Sequence, residues 1–184
     1  MCEGIKFAHD HGVKVYVTVN ILAHNRDLEG VREYLQELKE IGPDALIIAD
    51  PGIFTYAREI CPEIECHIST QANNTNYETY RFWYELGAKR VVLAREVEIE
   101  KAKAIRREAK IPLEIFVHGA LCVSYSGNCL MSGLIGYRSG NRGRCVGSCR
   151  KPYELLDKTS GKSLGVSYLL STKDLNTCLL YTSP

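Results

Sequence analysis

The sequence predicts an α/β protein built on parallel strands, and three observations carry that expectation. Short apolar segments rich in β-branched residues alternate with longer segments of helical periodicity. The strand segments show little polar alternation, as strands buried on both faces do. Each ends on polar residues, which parallel strands present together at one mouth, where such folds place their chemistry.

The elements follow in order. EGIKFAHDHG opens the chain as a helix, and Val13–Asn20 is the first expected strand. Asp27 opens a second helix in which Leu28, Val31, Leu35 and Leu38 recur at helical spacing until Gly42-Pro43 stops it. Strands at Ala45–Asp50, Ile64–Ser69, Arg90–Ala94 and Leu113–His118 come next, with helices at Gly52–Glu59, Asn76–Leu86 and Ile99–Ala109 between them. Strand-helix repetition implies right-handed crossovers and a parallel sheet. No GxGxxG follows the first strand, which argues against a dinucleotide site. The pattern by itself leaves a closed barrel and an open sheet equally admissible.

A chain of 184 residues with 45% apolar and 24% charged residues has enough material for a core and is not a disordered segment. A formal charge of +1 excludes a global field that announces nucleic acid or membrane, so such a partner has to be read from a local patch. No apolar run approaches the roughly 18 residues of a membrane span, and the N-terminus lacks a secretory layout; a cytoplasmic protein is expected. In a reducing compartment its eight cysteines read as thiols, metal ligands or redox groups rather than a disulfide framework.

Thr18 and Asn20, Asp50, Ser69 to Gln71, Arg95 with Glu96, and His118 terminate the strands. From these, Asn20, Gln71, Glu96 and His118 are the candidate catalytic residues, with helix capping and loop solvation as the competing role. His118 in particular suits a general base or a capping residue.

After Gly119 the texture changes. From Ile115 to Tyr153 there is no acidic residue, while Arg138, Arg142, Arg144, Arg150 and Lys151 are basic. That run is a candidate RNA-binding surface, with Tyr125, Tyr137 and Tyr153 available to stack unpaired bases; a solvated charged face is the alternative. Cys122, Cys129, Cys145 and Cys149 stand at C-x6-C-x15-C-x3-C among glycines that let the backbone fold back. Thiolates so spaced can converge on zinc or an iron–sulfur cluster, or the thiols can simply be buried as small hydrophobes. Cys61 and Cys66, in or beside a strand, read as core. A β-rich tail follows, Tyr153–Leu156 and Gly165–Leu170 flanking a turn at Lys158–Lys162.

The run FVHGALCVSYSGNCLMS, together with VNILAHN, ADPGIF, STQAN, LAREVEIE, GRCVGSCRKPYEL and STKDL in that order, resembles the peptidase U32 family over residues 1–177. The resemblance implies a TIM-type (β/α) barrel. Five strands cannot close an eight-stranded barrel, so a partial barrel is expected over residues 1–118, then a Cys-rich segment over 119–152 and the start of a β-rich region over 153–177. The first barrel strands and whatever follows STKDLN are expected to lie outside this chain. The last residues, CLLYTSP (178–184), spell a sequencing-adapter translation and are expected to be an artefact.

Family members are named peptidases, some collagenase-like; others hydroxylate RNA, making 5-hydroxyuridine in tRNA or 5-hydroxycytidine in ribosomal RNA, and related ones use a four-cysteine 4Fe–4S cluster. Carried over by position, Cys122, Cys129 and Cys145 match three cluster ligands. Where the family's fourth cysteine commonly follows an Asp-Leu pair, this chain has Asn176, so the fourth place falls to Cys149 or to a residue beyond this chain, or the cluster is incomplete or differently held. The expected function is therefore an iron–sulfur enzyme that hydroxylates a pyrimidine in tRNA or rRNA, with a small-molecule hydroxyl donor such as prephenate. A collagenase-like peptidase and a zinc-stabilised RNA-binding module are the alternatives. The sequence contains no HExxH signature of a hydrolase.

Overall fold

A computed structural model describes residues 1–109 and 111–178. Its centre is a five-stranded, all-parallel sheet of strands β1 (Tyr16–Val19), β2 (Ala45–Ile48), β3 (Glu65–Ile68), β4 (Arg90–Val92) and β5 (Leu113–Glu114). The strands lie side by side in chain order, with Tyr16 opposite Ala45 and Ala45 opposite Glu65.

Helix α1 (Cys2–Asp10) precedes the sheet, and α2 (Asn25–Leu28) and α3 (Val31–Ile41) connect β1 to β2. The single helix expected from Asp27 to Gly42 is interrupted because Gly30 takes a left-handed conformation, φ 78°, that breaks the helical ladder. Helices α4 (Pro51–Ile60), α5 (Tyr77–Glu85) and α6 (Ile99–Ala109) supply the remaining crossovers.

Side chains alternate across the strands, so each strand contributes every second residue to one face. Leu46, Ile48, Cys66, Ile68 and Val91 meet Leu35, Leu38, Ile53, Phe54, Tyr80 and Trp83 from the helices in one buried cluster. Cys61 and Cys66 are fully enclosed there, and burial pushes the Cys66 thiol up to about 11, consistent with packing rather than ligation. The opposite face carries a polar group: Tyr16 meets His67 edge-on at 5.0 Å, His67 Nε2 lies 3.1 Å from Glu65, and Arg90 reaches Glu114 at 3.4 Å.

The expected strand Leu113–His118 divides in two. Parallel pairing ends at Glu114, Ile115 to Val117 bend outward and exposed, and His118–Gly119 becomes β6, antiparallel to β9 (Leu175–Asn176). Thr177 N–H and Oγ1 both donate to the Val117 carbonyl, so the returning tail claims the backbone groups that a longer β5 would have offered to β4.

The tail itself is a hairpin of β7 (Tyr153–Leu156) and β8 (Ser163–Ser167), closed by Asp157, whose carboxylate accepts from the Thr159 and Ser160 N–H groups. Of the expected adapter segment only Cys178 falls among the described residues; 179–184 lie outside them. No helix among the described residues is long and apolar enough to cross a membrane.

Asp50 links sheet to helix. Its Oδ1 caps α4 by accepting from Gly52 N–H (2.8 Å) and Ile53 N–H (3.1 Å), Pro51 at the first helical position needs no such partner, and Oδ2 accepts from Ala23 N–H at 3.1 Å. Asp50→Ala is expected to cost about 2 kcal/mol, the upper end for a lost cap, read as a lowered thermal midpoint.

Candidate functional site

The C-terminal ends of the strands are covered by the segment from Leu121 to Lys151, which has little regular structure of its own: a short helix α7 (Met131–Gly136) and two single 3-10 turns, Gly140–Arg142 and Ser148–Arg150. What holds it is a set of long-range polar contacts. Ser126, fully buried, donates through its N–H to both Glu96 carboxylate oxygens and through Oγ to Glu96 Oε2 at 2.9 Å. Its hydroxyl also accepts from Arg95 N–H at 3.1 Å and from Thr70 Oγ1 at 3.3 Å.

Asn73 Nδ2 donates to the same Glu96 carboxylate. Burial pushes the Glu96 carboxyl up, but hydrogen bonds from its own N–H, from Ser126 and from Asn73 together outweigh it and hold the group below its ordinary value. Glu96, a catalytic candidate in the sequence, is placed as an ionised anchor whose lone pairs already have donors.

Next to Ser126, Gly127 has φ 79°, and a Cβ there would lie 2.0 Å from the Gln71 carbonyl oxygen. Only glycine lets this backbone rest directly on the strand-end turn Thr70–Ala72. Two arginines complete the attachment. Arg142 pairs with Asp27, whose carboxyl is lowered by the His24 backbone hydrogen bond and then by Arg142. Arg150 donates to the carbonyls of Leu121 (2.9 Å) and Thr172 (2.8 Å) and to Ser171 Oγ (3.0 Å).

Between loop and strand ends lies a cavity of about 160 Å³ lined by Cys122, Cys129, Cys145 and Cys149, with Gln71, Arg95, Tyr125 and Asn141 also on its walls. All four expected ligand cysteines therefore face one space. Cys145 Sγ accepts from Gly147 N–H at 3.4 Å and from Ser132 Oγ at 3.7 Å. Gly140 packs beside Cys145 and Cys129: a Cβ there would lie in ordinary contact with Cys145 Cβ at 3.6 Å and the Cys129 carbonyl at 3.9 Å. Among the described residues no three His, Cys, Asp or Glu side chains are grouped tightly enough to hold a metal ion as they stand.

The donor set nevertheless suits a soft, thiolate-bound centre: four thiols on one cavity, N–H and O–H donors to one sulfur, and no carboxylate in the lining. Ligand binding itself supplies the free energy that draws such loops closed.

The remaining sequence candidates divide. Gln71 is on the cavity wall, whereas Asn20 donates to Ser69 Oγ at 3.2 Å, beside rather than in it. His118 is exposed in β6, with Nδ1 3.9 Å from Cys178 Sγ, and does not line the cysteine cavity. Of the five basic residues, Arg142 and Arg150 are engaged internally by acids and carbonyls brought from distant sequence. Arg138, Arg144 and Lys151 are exposed and form no ion pair among the described residues. Sequence reasoning left Ser126 and Arg95 out of the candidate site residues; the hints were the place of Ser126 within the cysteine run and of Arg95 at a strand end.

The chain matches the description Peptidase family U32 over residues 1–180. It is 46% identical over 153 residues to tRNA hydroxylation protein P of Escherichia coli (strain K12), covering 83% of this chain and 34% of that protein. To tRNA hydroxylation protein P1 of Bacillus subtilis (strain 168) it is 38% identical over 181 residues, 95% of this chain and 43% of that protein. The 23S rRNA 5-hydroxycytidine C2501 synthase of E. coli K12 is 39% identical over 95% of this chain and 26% of its own length. The chain thus spans less than half the length of these relatives. Among solved structures, the U32 peptidase Mk0906 superposes with a TM-score of 0.55 at 18% identity, over 65% of this chain and 51% of that one, a likeness of fold.

Two outcomes follow from the anchoring of the loop. Gly127→Ala meets both a positive φ and the Gln71 carbonyl, and is expected to cost about 2 kcal/mol or more, measured by denaturant unfolding. Because the folded Glu96 carboxyl sits below its ordinary value of 4.5, its stabilising effect is complete above that value and is lost as pH falls through the folded one. Glu96→Gln should therefore flatten the acid limb of stability against pH, seen in urea midpoints recorded between about pH 3 and 7.

Proposed function

The chain belongs to peptidase family U32, and from that premise we propose that it carries the thiolate-bound redox centre of an enzyme that hydroxylates a pyrimidine base in RNA. The observation that supports the reading best is the single cavity onto which Cys122, Cys129, Cys145 and Cys149 all open. The names of the tRNA and 23S rRNA hydroxylating relatives support the choice of RNA as substrate.

In this reading Cys122, Cys129 and Cys145 hold a 4Fe–4S cluster, with Cys149 on the same cavity as the fourth candidate. When bound, such a cluster supplies one-electron redox chemistry beside the substrate. The chain's own residues do the rest. Gly147 N–H and Ser132 Oγ stabilise negative charge on the Cys145 sulfur, as outer hydrogen bonds to a ligand sulfur do. The Glu96–Ser126 contact keeps the cysteine loop fixed over the strand ends. Tyr125, 68% exposed at the cavity, presents a ring on which an unpaired base can stack, and Arg138, Arg144 and Lys151 are free to neutralise phosphates. His118 and Cys122 do not share the cavity, which weakens a Cys-His proteolytic pair.

The sheet fits an arc of a (β/α) barrel. Its strands run in chain order without reversal and its helices pack in one cluster against one face, whereas a doubly wound sheet reverses order at a switch point. A cytoplasmic setting suits free thiols that must stay reduced to bind metal.

Anaerobic purification, iron analysis and nucleoside analysis of RNA test the reading. Cys122→Ser, Cys129→Ser and Cys145→Ser are each expected to lose iron and RNA hydroxylation together, while Cys66→Ser keeps both apart from a modest packing loss. Stoichiometric zinc in place of iron, with hydroxylation absent, would leave the RNA-binding module as the better account.

A further inference from the structure

Helix α7 turns its polar side inward and its apolar side outward. Ser132 is buried, donates to Cys145 Sγ and lines the cysteine cavity together with Met131. Leu130, Leu134 and Tyr137 follow at i, i+4 and i+7 and so share one stripe. That stripe is bare: Leu130 is 65% exposed, Leu134 78% and Tyr137 96%, with Ile135 beside them at 59%. Single exposed apolar side chains are ordinary on a protein surface, whereas a continuous apolar ridge marks a contact site.

Tyr137 ends the helix with φ 54° and ψ 25°, its N–H donating to the Gly133 carbonyl at 3.0 Å while Arg138 N–H donates to the Ser132 carbonyl at 3.1 Å. Left-handed backbone at a helix end suits glycine, and a residue with a Cβ and a bulky ring carries a steric cost there. Packing inside the chain returns almost nothing, since the ring stands in solvent. A strained residue that presents its side chain outward is expected where that side chain meets a ligand.

Charge selects the occupant. Arg138 adjoins Tyr137, Arg144 and Lys151 are exposed and form no ion pair among the described residues, and no acidic residue occurs between Ile115 and Tyr153. An apolar ridge rimmed by cations and free of acids fits a polyanion that also has apolar faces, which is single-stranded RNA: bases stack on the ridge and phosphates meet the cations. A second copy of this chain docking through the same face would set those cations against one another.

We propose that Leu134 and Tyr137 form a stacking wedge for RNA, holding the nucleotide next to the one that enters the cysteine cavity. A base that is to be modified has to leave its stack, and an apolar or aromatic side chain at the vacated step offsets the lost stacking. Met131 and Ser132 on the same helix line the cavity, so ridge and cavity are separated by about one helix diameter, roughly 10 Å. Neighbouring nucleotides of one strand span that distance. The purpose of the wedge rests on the RNA-hydroxylating function proposed above.

Fluorescence anisotropy tests this with the chain as it stands, using an RNA hairpin with a pyrimidine-rich loop and a fully paired RNA duplex of the same length. Tyr137→Gly is expected to bind the hairpin roughly fivefold or more weakly, the effect of one lost stack, with duplex binding unchanged. Its thermal midpoint is expected to stay or rise, because glycine relieves the backbone. Leu134→Gln should act in the same direction, and Tyr137→Phe should keep full affinity, since stacking needs only the ring. Arg138→Gln is expected to weaken both RNAs alike and to lower the salt slope by about one. Irradiated 4-thiouridine in the loop is expected to attach to the peptide that carries Tyr137.

No hairpin binding by the unaltered chain, unchanged binding by both Tyr137→Gly and Leu134→Gln, or equal losses for hairpin and duplex would each overturn the wedge. A lowered thermal midpoint in Tyr137→Gly would assign the ring to the fold instead, and self-association abolished by Leu134→Gln with hairpin binding retained would assign the ridge to a second copy. Iron and nucleoside analysis of the same samples keeps the two readings apart. Tyr137-dependent hairpin binding by protein that takes up no iron would sink the iron–sulfur enzyme and leave the wedge standing; iron-dependent hydroxylation unaffected by Tyr137→Gly and Leu134→Gln would do the reverse.

Discussion

Glu96 sits just past β4, and Ser126 lies in the middle of a loop that has almost no backbone ladder of its own. Three hydrogen bonds join them, and Asn73, at the end of the β3 turn, adds another donor. A carboxylate that accepts from several donors in a partly buried place is stabilised in its charged form, and removing any donor leaves that charge exposed to a desolvation cost. The cavity exists because this contact exists: it sets the height of Ser126 above the strand ends, and Gly127, pressed onto the Gln71 carbonyl, sets the separation. Without both, the cysteines on either side would have no common wall.

The two arginine clamps extend the same principle to the flanks. Arg142 meets Asp27 from the segment after β1, and Arg150 gathers carbonyls from Leu121 and Thr172 together with Ser171. A guanidinium can satisfy several acceptors in fixed directions, which suits it to joining segments that have no regular structure. Half-buried, these pairs contribute more to keeping the loop in one arrangement than exposed surface pairs do. Their cost is that a basic run which looks in sequence like a phosphate-binding patch is reduced to Arg138, Arg144 and Lys151.

Thiols facing one cavity without closing on a point fit the ligand-completed site proposed above. Polar contacts bring the loop to the strand ends, glycine at 127 permits close approach, and in that reading the last convergence would depend on bonds to the bound centre. An apolar groove beyond Arg95 is arranged differently. It is bounded by α6 and by the bend that replaces the end of β5, and that bend exists because the returning tail, through Thr177 and β9, takes up backbone groups of Val117, His118 and Gly119. Pairing at one edge of the sheet thereby shapes a pocket beside the cysteine cavity.

Sequence pattern alone determined the order of strands and helices and the helical core positions Val31, Leu35 and Leu38, because these follow from local geometry along the chain. The spacing of the cysteines and glycines likewise marked residues 122–149 as one unit. Tertiary structure decided what depends on partners far apart in sequence. Asp27 and Arg142 are separated by 115 positions, so the apparent lack of compensating acid around Arg142 was a property of the sequence neighbourhood and not of the molecule. His118 was read as a strand end but was diverted by pairing with Asn176, and Glu96, legible as a polar strand end, became an anchor only when Ser126 arrived from 30 residues away. Spacing can nominate a ligand, but whether a charged side chain binds, anchors or waits for a partner is set by which other groups the fold brings within a few ångströms, and that is a sum over the whole chain.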